Sequence, residues 1–189
     1  MDLNFTEEQK ILRDMVRNLC EEHASTRIVR DMENDPLGVP PGLWAQMKDT
    51  GLLAMMLPEA YGGIGLDTLD RAVIYQELGR ALAPGPHFVS SVMGALAIEK
   101  GGSKAQKDAL LPAIGRGELI VTPAWLEPDN SFGPQGVQLR AETTADGYRL
   151  DGVKRHVFYA RAAQKLIVLA RTGEAADAID LLLVDTDAP

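Results

Sequence analysis

The sequence predicts an α+β chain of two domains, an N-terminal all-α helical bundle followed by an incomplete antiparallel β-barrel or sandwich. Three observations predict it. Apolar residues recur at helical spacing as far as about residue 115. After "GRGE", residues 115–118, the grammar changes to β-rich runs with a period of two. Tight turns, not helices, separate those runs, which argues against βαβ units. The boundary therefore falls at residue 118, with a helical domain over 1–118 and a partial β domain over 119–189.

Each element has its own signal. Thr6 and Gln9 form a T-x-x-Q capping box, and Ile11, Leu12, Met15, Val16 and Leu19 come after it at helical spacing. The prolines and glycines of "DMENDPLGVPPG", 31–42, predict a loop. Leu43, Trp44 and Met47 predict a short helix that stops at Gly51. A third helix is expected from Asp67, carrying Leu69, Val73 and Leu78, and ended by Pro84, Gly85 and Pro86. A fourth runs from about His87 to Lys100, with Gly101 and Gly102 as its stop. Ser103 and Gln106 repeat the capping box before a fifth helix with Ala109, Leu110 and Ala113. In the second half, Val137, Leu139 and Ala141 alternate as in a half-buried strand. Asp146-Gly147 signals a hairpin, Asp151-Gly152 a further turn, and "KLIVLAR" and "IDLLLVD" two more strands. The chain stops at Pro189 directly after a strong strand. An uncovered sheet edge there leads us to expect that it is part of a longer protein.

Composition narrows the function. The chain has 189 residues and a net charge of −8, which opposes non-specific binding to nucleic acid or to an anionic membrane. Cys20 is the only cysteine, so an intramolecular disulfide and a Cys-rich zinc site are excluded. The N-terminus "MDLNFTEEQK" lacks the apolar core of a signal peptide, and no apolar run approaches a membrane span. These features predict a cytoplasmic protein.

Most candidate motifs have a plain structural reading. "MLPEAYGGIGLD", 56–67, holds Gly62, Gly63 and Gly65, but matches neither G-x-G-x-x-G nor a G-K-[ST] phosphate loop. A tight turn using positive φ explains it better. His23, His87 and His156 have no second ligand at metal spacing, so no metal is expected. Ser90 and Ser91 lack a G-x-S-x-G setting. Glu127, before a proline, reads as an acceptor of loop hydrogen bonds sooner than a general base. The lysines at 100, 104 and 107 read as a solvated helix face.

The order of motifs, by contrast, resembles the N-terminal half of an acyl-CoA dehydrogenase. Phe5, Thr6, Glu8 and Gln9 match F-T-x-E-Q. "GLLAMMLPEAYGGIGLD" is similar to the family's most recognisable N-terminal segment, and the helix "DRAVIYQELGRALA" comes directly after it. "IEKGGSKAQKDALLPAIGRGE", 98–118, resembles I-x-x-x-G-x-x-x-Q-K…L-P-x-x-x-x-G-E. "LEP" matches T-E-P at the opening of the β domain. "DGYRLDGVKRHVFYARAAQKLIVLART", 146–172, matches the family's D-G-Y-x-L-N-G-x-K…V-x-A-R-T segment. The resemblance covers nearly the whole chain.

It implies a helical domain, a middle β-barrel and a C-terminal four-helix domain, of which this sequence holds the first and part of the second. It also implies FAD as cofactor, an acyl-CoA thioester as substrate, α,β-dehydrogenation, and assembly into homo- or hetero-oligomers. The catalytic glutamate belongs to the absent C-terminal domain, so no catalytic residue is assigned. The positions that match the family's cofactor contacts are Trp125, Leu126, His156 and Phe158. Those assigned to substrate are Phe132, Ser90, Ser91 and Gly94. Leu126 stands where the family has Thr, Phe132 near its Ser, and His156-Val157-Phe158 replaces W-I-T. Two side-chain hydroxyls that bond the flavin are thereby lost, each worth ~1 kcal/mol net. That loss motivates a second reading, a non-catalytic partner subunit of a heteromeric dehydrogenase. A plain helical interaction domain is the third. Small side chains at 90, 91, 94 and 95 leave room for a bulky acyl group or permit close helix packing.

Overall fold

The computed structural model describes residues 4–128 and 133–188. The helical half holds α1 (Glu7–His23), α2 (Thr26–Met32), α3 (Pro41–Asp49), α4 (Thr68–Arg80), a π-helical stretch (Phe88–Gly94) running into α5 (Ala95–Gly101), and α6 (Lys104–Gly115). Both expected capping boxes are formed, Thr6 with Gln9 and Ser103 with Gln106. A third pairs Asp67 with Asp70 at the start of α4. Each satisfies helix N–H groups that have no intrahelical acceptor. α2 has no strong apolar stripe, and none of its residues is buried. Periodicity therefore carries no sign of it.

Val16, Leu19 and Cys20 of α1 pack with Leu43 and Met47 of α3, Leu52, Leu53, and Ile74 and Leu78 of α4. Glu77 of α4 lies inside this contact with its side chain 1% exposed. It accepts from Arg17 at 2.7 Å and from Arg80 at 2.7 Å. The Arg17 guanidinium lowers its carboxyl most; burial opposes this and Arg80 adds to it, for a pKa of about 2. A buried carboxylate between two arginines clamps α1 onto α4.

The glycine-rich stretch is a joint between helices. Gly62 is left-handed (φ 85) and ends a 3-10 turn at Glu59–Tyr61, and Gly65 has φ 65. Gly63 needs to be glycine for a different reason. A Cβ there would lie 1.9 Å from the Leu57 carbonyl oxygen.

The β half contains β1 (Val121–Ala124), β2 (Ala141–Thr144), β3 (Gly147–Leu150), β4 (Lys165–Arg171) and β5 (Ile179–Asp185). β2 and β3 form an antiparallel hairpin, with Thr144 opposite Gly147. The strands β4 and β5, read from "KLIVLAR" and "IDLLLVD", pair antiparallel from Lys165↔Asp185 to Arg171↔Ile179. β1 departs from the expected antiparallel order by pairing parallel to β4, with Val121 opposite Lys165. The long excursion between them brings the chain back in the same direction. No closed barrel forms among the described residues, where the sheets have three and two strands. β1 is an edge strand of the first, which accommodates Pro123.

The core crosses the domain boundary. Leu57, Ala95, Ile98, Leu111 and Ile114 cluster with Leu119, Val121 and Ile167. No helix among the described residues is long and apolar enough to cross a membrane.

Candidate functional site

β1 ends at Ala124 and leads into exposed Trp125, half-buried Leu126 and buried Glu127. Residues 154–159, which form no strand, run beside them. The Arg155 N–H donates to the Leu126 carbonyl at 2.7 Å. The Thr122 hydroxyl donates to the Phe158 carbonyl at 2.8 Å. The two segments expected to contact a cofactor are thus joined, although about thirty residues separate them in the chain.

A buried ion pair fixes this junction. Lys154 donates to Glu127 Oε1 at 2.7 Å, and both side chains are 8% exposed. Lys154 also donates to the Trp125 carbonyl at 3.3 Å. Glu127 accepts the N–H of Gln138 at 2.9 Å and that of Leu139 at 3.1 Å. Burial pushes the Glu127 carboxyl up, but Lys154 and the N–H groups of Leu139 and Gln138 outweigh it, so its pKa is lowered. Glu127 is therefore an ionised loop anchor, as its place before a proline suggests. Lys154 is the lysine of the D-G-Y-x-L-N-G-x-K match, but only its contacts reveal that it pairs with Glu127.

Around this anchor, aromatic surface faces outward. Trp125 is 43% and Phe158 67% exposed, and His156 is exposed as well. Leu126 is half-buried. Among the described residues, neither the Leu126 nor the Phe158 backbone N–H is taken up by another backbone group. His156 and Tyr159 adopt left-handed backbone, with φ 54 and 53. Such a conformation costs a non-glycine residue about 1–2 kcal/mol, and it gathers at functional sites. Exposed rings, backbone donors and a rigid anchor fit a flat heteroaromatic cofactor. The side-chain hydroxyls that would strengthen such a site are absent at 126 and 158.

Among the described residues, the positions expected to contact substrate lie deeper. The buried Ser90 hydroxyl accepts the Val121 N–H at 3.1 Å, which docks the π-helical stretch on β1. A Cβ at Gly94 would meet the Val121 carbonyl oxygen at 3.0 Å, so glycine permits that approach. The Ser91 Oγ and Arg71 Nε are buried without a hydrogen-bond partner among the described residues, and both residues border a cavity of about 10 Å³. Phe132 lies outside the described residues.

A larger apolar cavity of about 270 Å³ lies between α3, α4 and residues 82–88, lined by Met47, Tyr75, Leu82, Gly85, His87 and Phe88 among others. Phe88 packs edge-on against Tyr75, with ring centroids 5.2 Å apart. His87 Nδ1 and the Tyr75 hydroxyl are 2.6 Å apart, and His87 Nε2 faces the Leu52 carbonyl at 3.4 Å. With Nε2 protonated and Nδ1 accepting, the neutral ring is satisfied. Burial holds its pKa down at about 4, against a raising effect of Leu52. The described residues contain no cluster of three or more His, Cys, Asp or Glu able to hold a metal.

The described residues thus form a helical bundle docked on a β-sheet whose irregular edge presents aromatic and backbone-donor surface. Comparison with known proteins names the class. The sequence model of the acyl-CoA dehydrogenase N-terminal domain matches residues 6–118. The chain belongs to the acyl-CoA dehydrogenase family. It is 28% identical over 194 residues to a probable acyl-CoA dehydrogenase, YngJ, of Bacillus subtilis, covering 100% of this chain and 50% of that protein. Its fold superposes with TM-score 0.85 and 35% identity on a Tcur3481–Tcur3483 steroid ACAD variant, covering 97% of this chain and 49% of that one. It also superposes on the ChsE4–ChsE5 complex of Mycobacterium tuberculosis, with TM-score 0.87, 26% identity, and 100% and 50% coverage. The chain spans about half the length of the curated relatives it matches.

Proposed function

We propose that this chain is the N-terminal portion of a subunit of a flavin-dependent acyl-CoA dehydrogenase. The observation that carries the reading is the junction of residues 125–127 with 154–158. There the Glu127–Lys154 pair and the Arg155-to-Leu126 hydrogen bond present Trp125, His156 and Phe158 together. Bound FAD would supply a hydride acceptor for the β-carbon of an acyl-CoA thioester whose α-proton a carboxylate would take. In this chain, the backbone N–H groups of Leu126 and Phe158 would be the donors toward the flavin. Trp125 and His156 offer ring faces, and Lys154 and Glu127 hold the donors in place. No residue of this chain is assigned as the catalytic base. Phe132, Ser90, Ser91 and Gly94 remain our proposed acyl-side positions.

Two observations favour a second reading. Leu126 and Phe158 lack the two hydroxyl donors, and one of the similar structures is a complex of two proteins, ChsE4 and ChsE5. In that reading the chain serves a heteromeric dehydrogenase as a non-catalytic subunit and acts in a cytoplasmic assembly without holding flavin tightly. Visible absorption of the full-length protein, purified alone and after addition of FAD, separates the two. Stoichiometric flavin supports the first. A colourless protein that takes up no FAD supports the second.

A further inference from the structure

Tyr159 stands apart from the contacts used so far. It is an aromatic residue held in left-handed backbone, φ 53, one residue beyond Phe158. Its hydroxyl accepts the Gly85 N–H at 2.8 Å, a bond that spans 74 positions of the chain and both halves of the molecule. Its ring lies against Gly38, where a Cβ would come 3.7 Å from Cε1. Its own carbonyl accepts the N–H groups of Ala162 and Ala163 at 3.0 and 3.1 Å. Gly85 lines the 270 Å³ cavity, together with Leu82 and Phe88. Leu82 is itself left-handed, with φ 52, and 73% exposed. Two strained loops therefore meet at one hydrogen bond. Strain of this kind persists only where the surroundings over-determine it.

We propose that Tyr159 is a positioning residue that ties the cofactor-facing segment 156–159 to the cavity rim at residues 82–88. We take the apolar 270 Å³ cavity, which Phe88 at the head of the π-helical stretch bearing Ser90, Ser91 and Gly94 helps to line, as the space for the acyl group, so the size admitted is set jointly with the placement of the cofactor. The assignment rests on the flavin-enzyme reading above. Loss of the Tyr159–Gly85 bond frees the rim, so the cavity accepts small and bulky groups more equally. The cofactor contacts at Leu126 and Phe158 do not pass through the Tyr159 hydroxyl and remain.

The test uses the full-length protein with any subunit that copurifies, its flavin content measured by visible absorption. Two variants are compared with the wild type, Tyr159→Phe and Tyr159→Asn. Phenylalanine removes only the hydroxyl and keeps the strain, whereas asparagine suits left-handed backbone. kcat and KM are measured for a short straight-chain and a bulky cyclic CoA thioester with an artificial electron acceptor. Both variants should keep their flavin, and the discrimination between the two thioesters should shrink about fivefold, mainly through KM. Tyr159→Asn should melt no lower than Tyr159→Phe despite its loss of selectivity, which a merely structural role does not give. Unchanged discrimination in both flavin-loaded variants overturns the assignment alone. A wild type that takes up no flavin overturns the functional reading and this assignment with it. If neither variant accumulates as folded protein, Tyr159 serves folding and the assignment falls.

Discussion

His87 shows how a single side chain sets a pH response. It is buried and neutral, with its pKa lowered to about 4 from an ordinary 6.5. The unfolded chain gains a proton below about 6.5, and the folded chain gains it only near 4. Stability is therefore fully present above the upper value and falls as pH drops through that window, by at most about 1.4 kcal/mol per pH unit. Denaturant titrations at pH 7, 6 and 5 should show this slope, and His87→Gln should flatten it. An unaltered slope in the variant places the titration elsewhere. The sequence marks His87 as a residue without metal partners. It does not reveal the Tyr75 and Leu52 contacts, which come from positions 12 and 35 residues away.

At the scale of elements, the Glu127–Lys154 pair joins the end of β1 to the segment ahead of β4. Lys154→Met would leave a buried carboxylate unpaired, at a cost of about 3–5 kcal/mol. Adding Glu127→Gln should recover part of that loss, because a glutamine oxygen can still accept the N–H groups of Gln138 and Leu139. A double-mutant cycle by chemical denaturation measures the coupling. If the double variant is as unstable as the sum of its parts, the pair does not act as a unit. Of these elements, β4, β5 and the capping boxes were legible in the sequence because each is a local pattern. The parallel pairing of β1 was not, since strand direction depends on the path of residues 125–164. The π-helical winding at Phe88–Gly94 was not legible either, since its place is fixed by β1 lying against Ser90 and Gly94.

For the molecule as a whole, the division at residue 118 that the change of periodicity suggests is not a division of the core. Leu119, Val121 and Ile167 complete a cluster whose other members belong to the helical half. Burying each such side chain is worth about 1.5–3 kcal/mol. A chain ending at residue 118 should melt lower than the 189-residue chain and bind a hydrophobic dye more strongly. Equal melting temperatures would show that the helical half is self-sufficient.

The sequence by itself determined the helical caps, the glycine joint and two strands, since these depend on neighbours within a few positions. Through its ordered motifs, it also identified the family. It pointed to Trp125, Leu126, His156 and Phe158 without showing that they meet. Only the tertiary structure brought those segments together, through Lys154, Glu127 and Arg155, and tied them to the cavity through Tyr159. Hydrogen bonds between residues 27 to 74 positions apart are set by the packing of whole elements, and no local pattern records them.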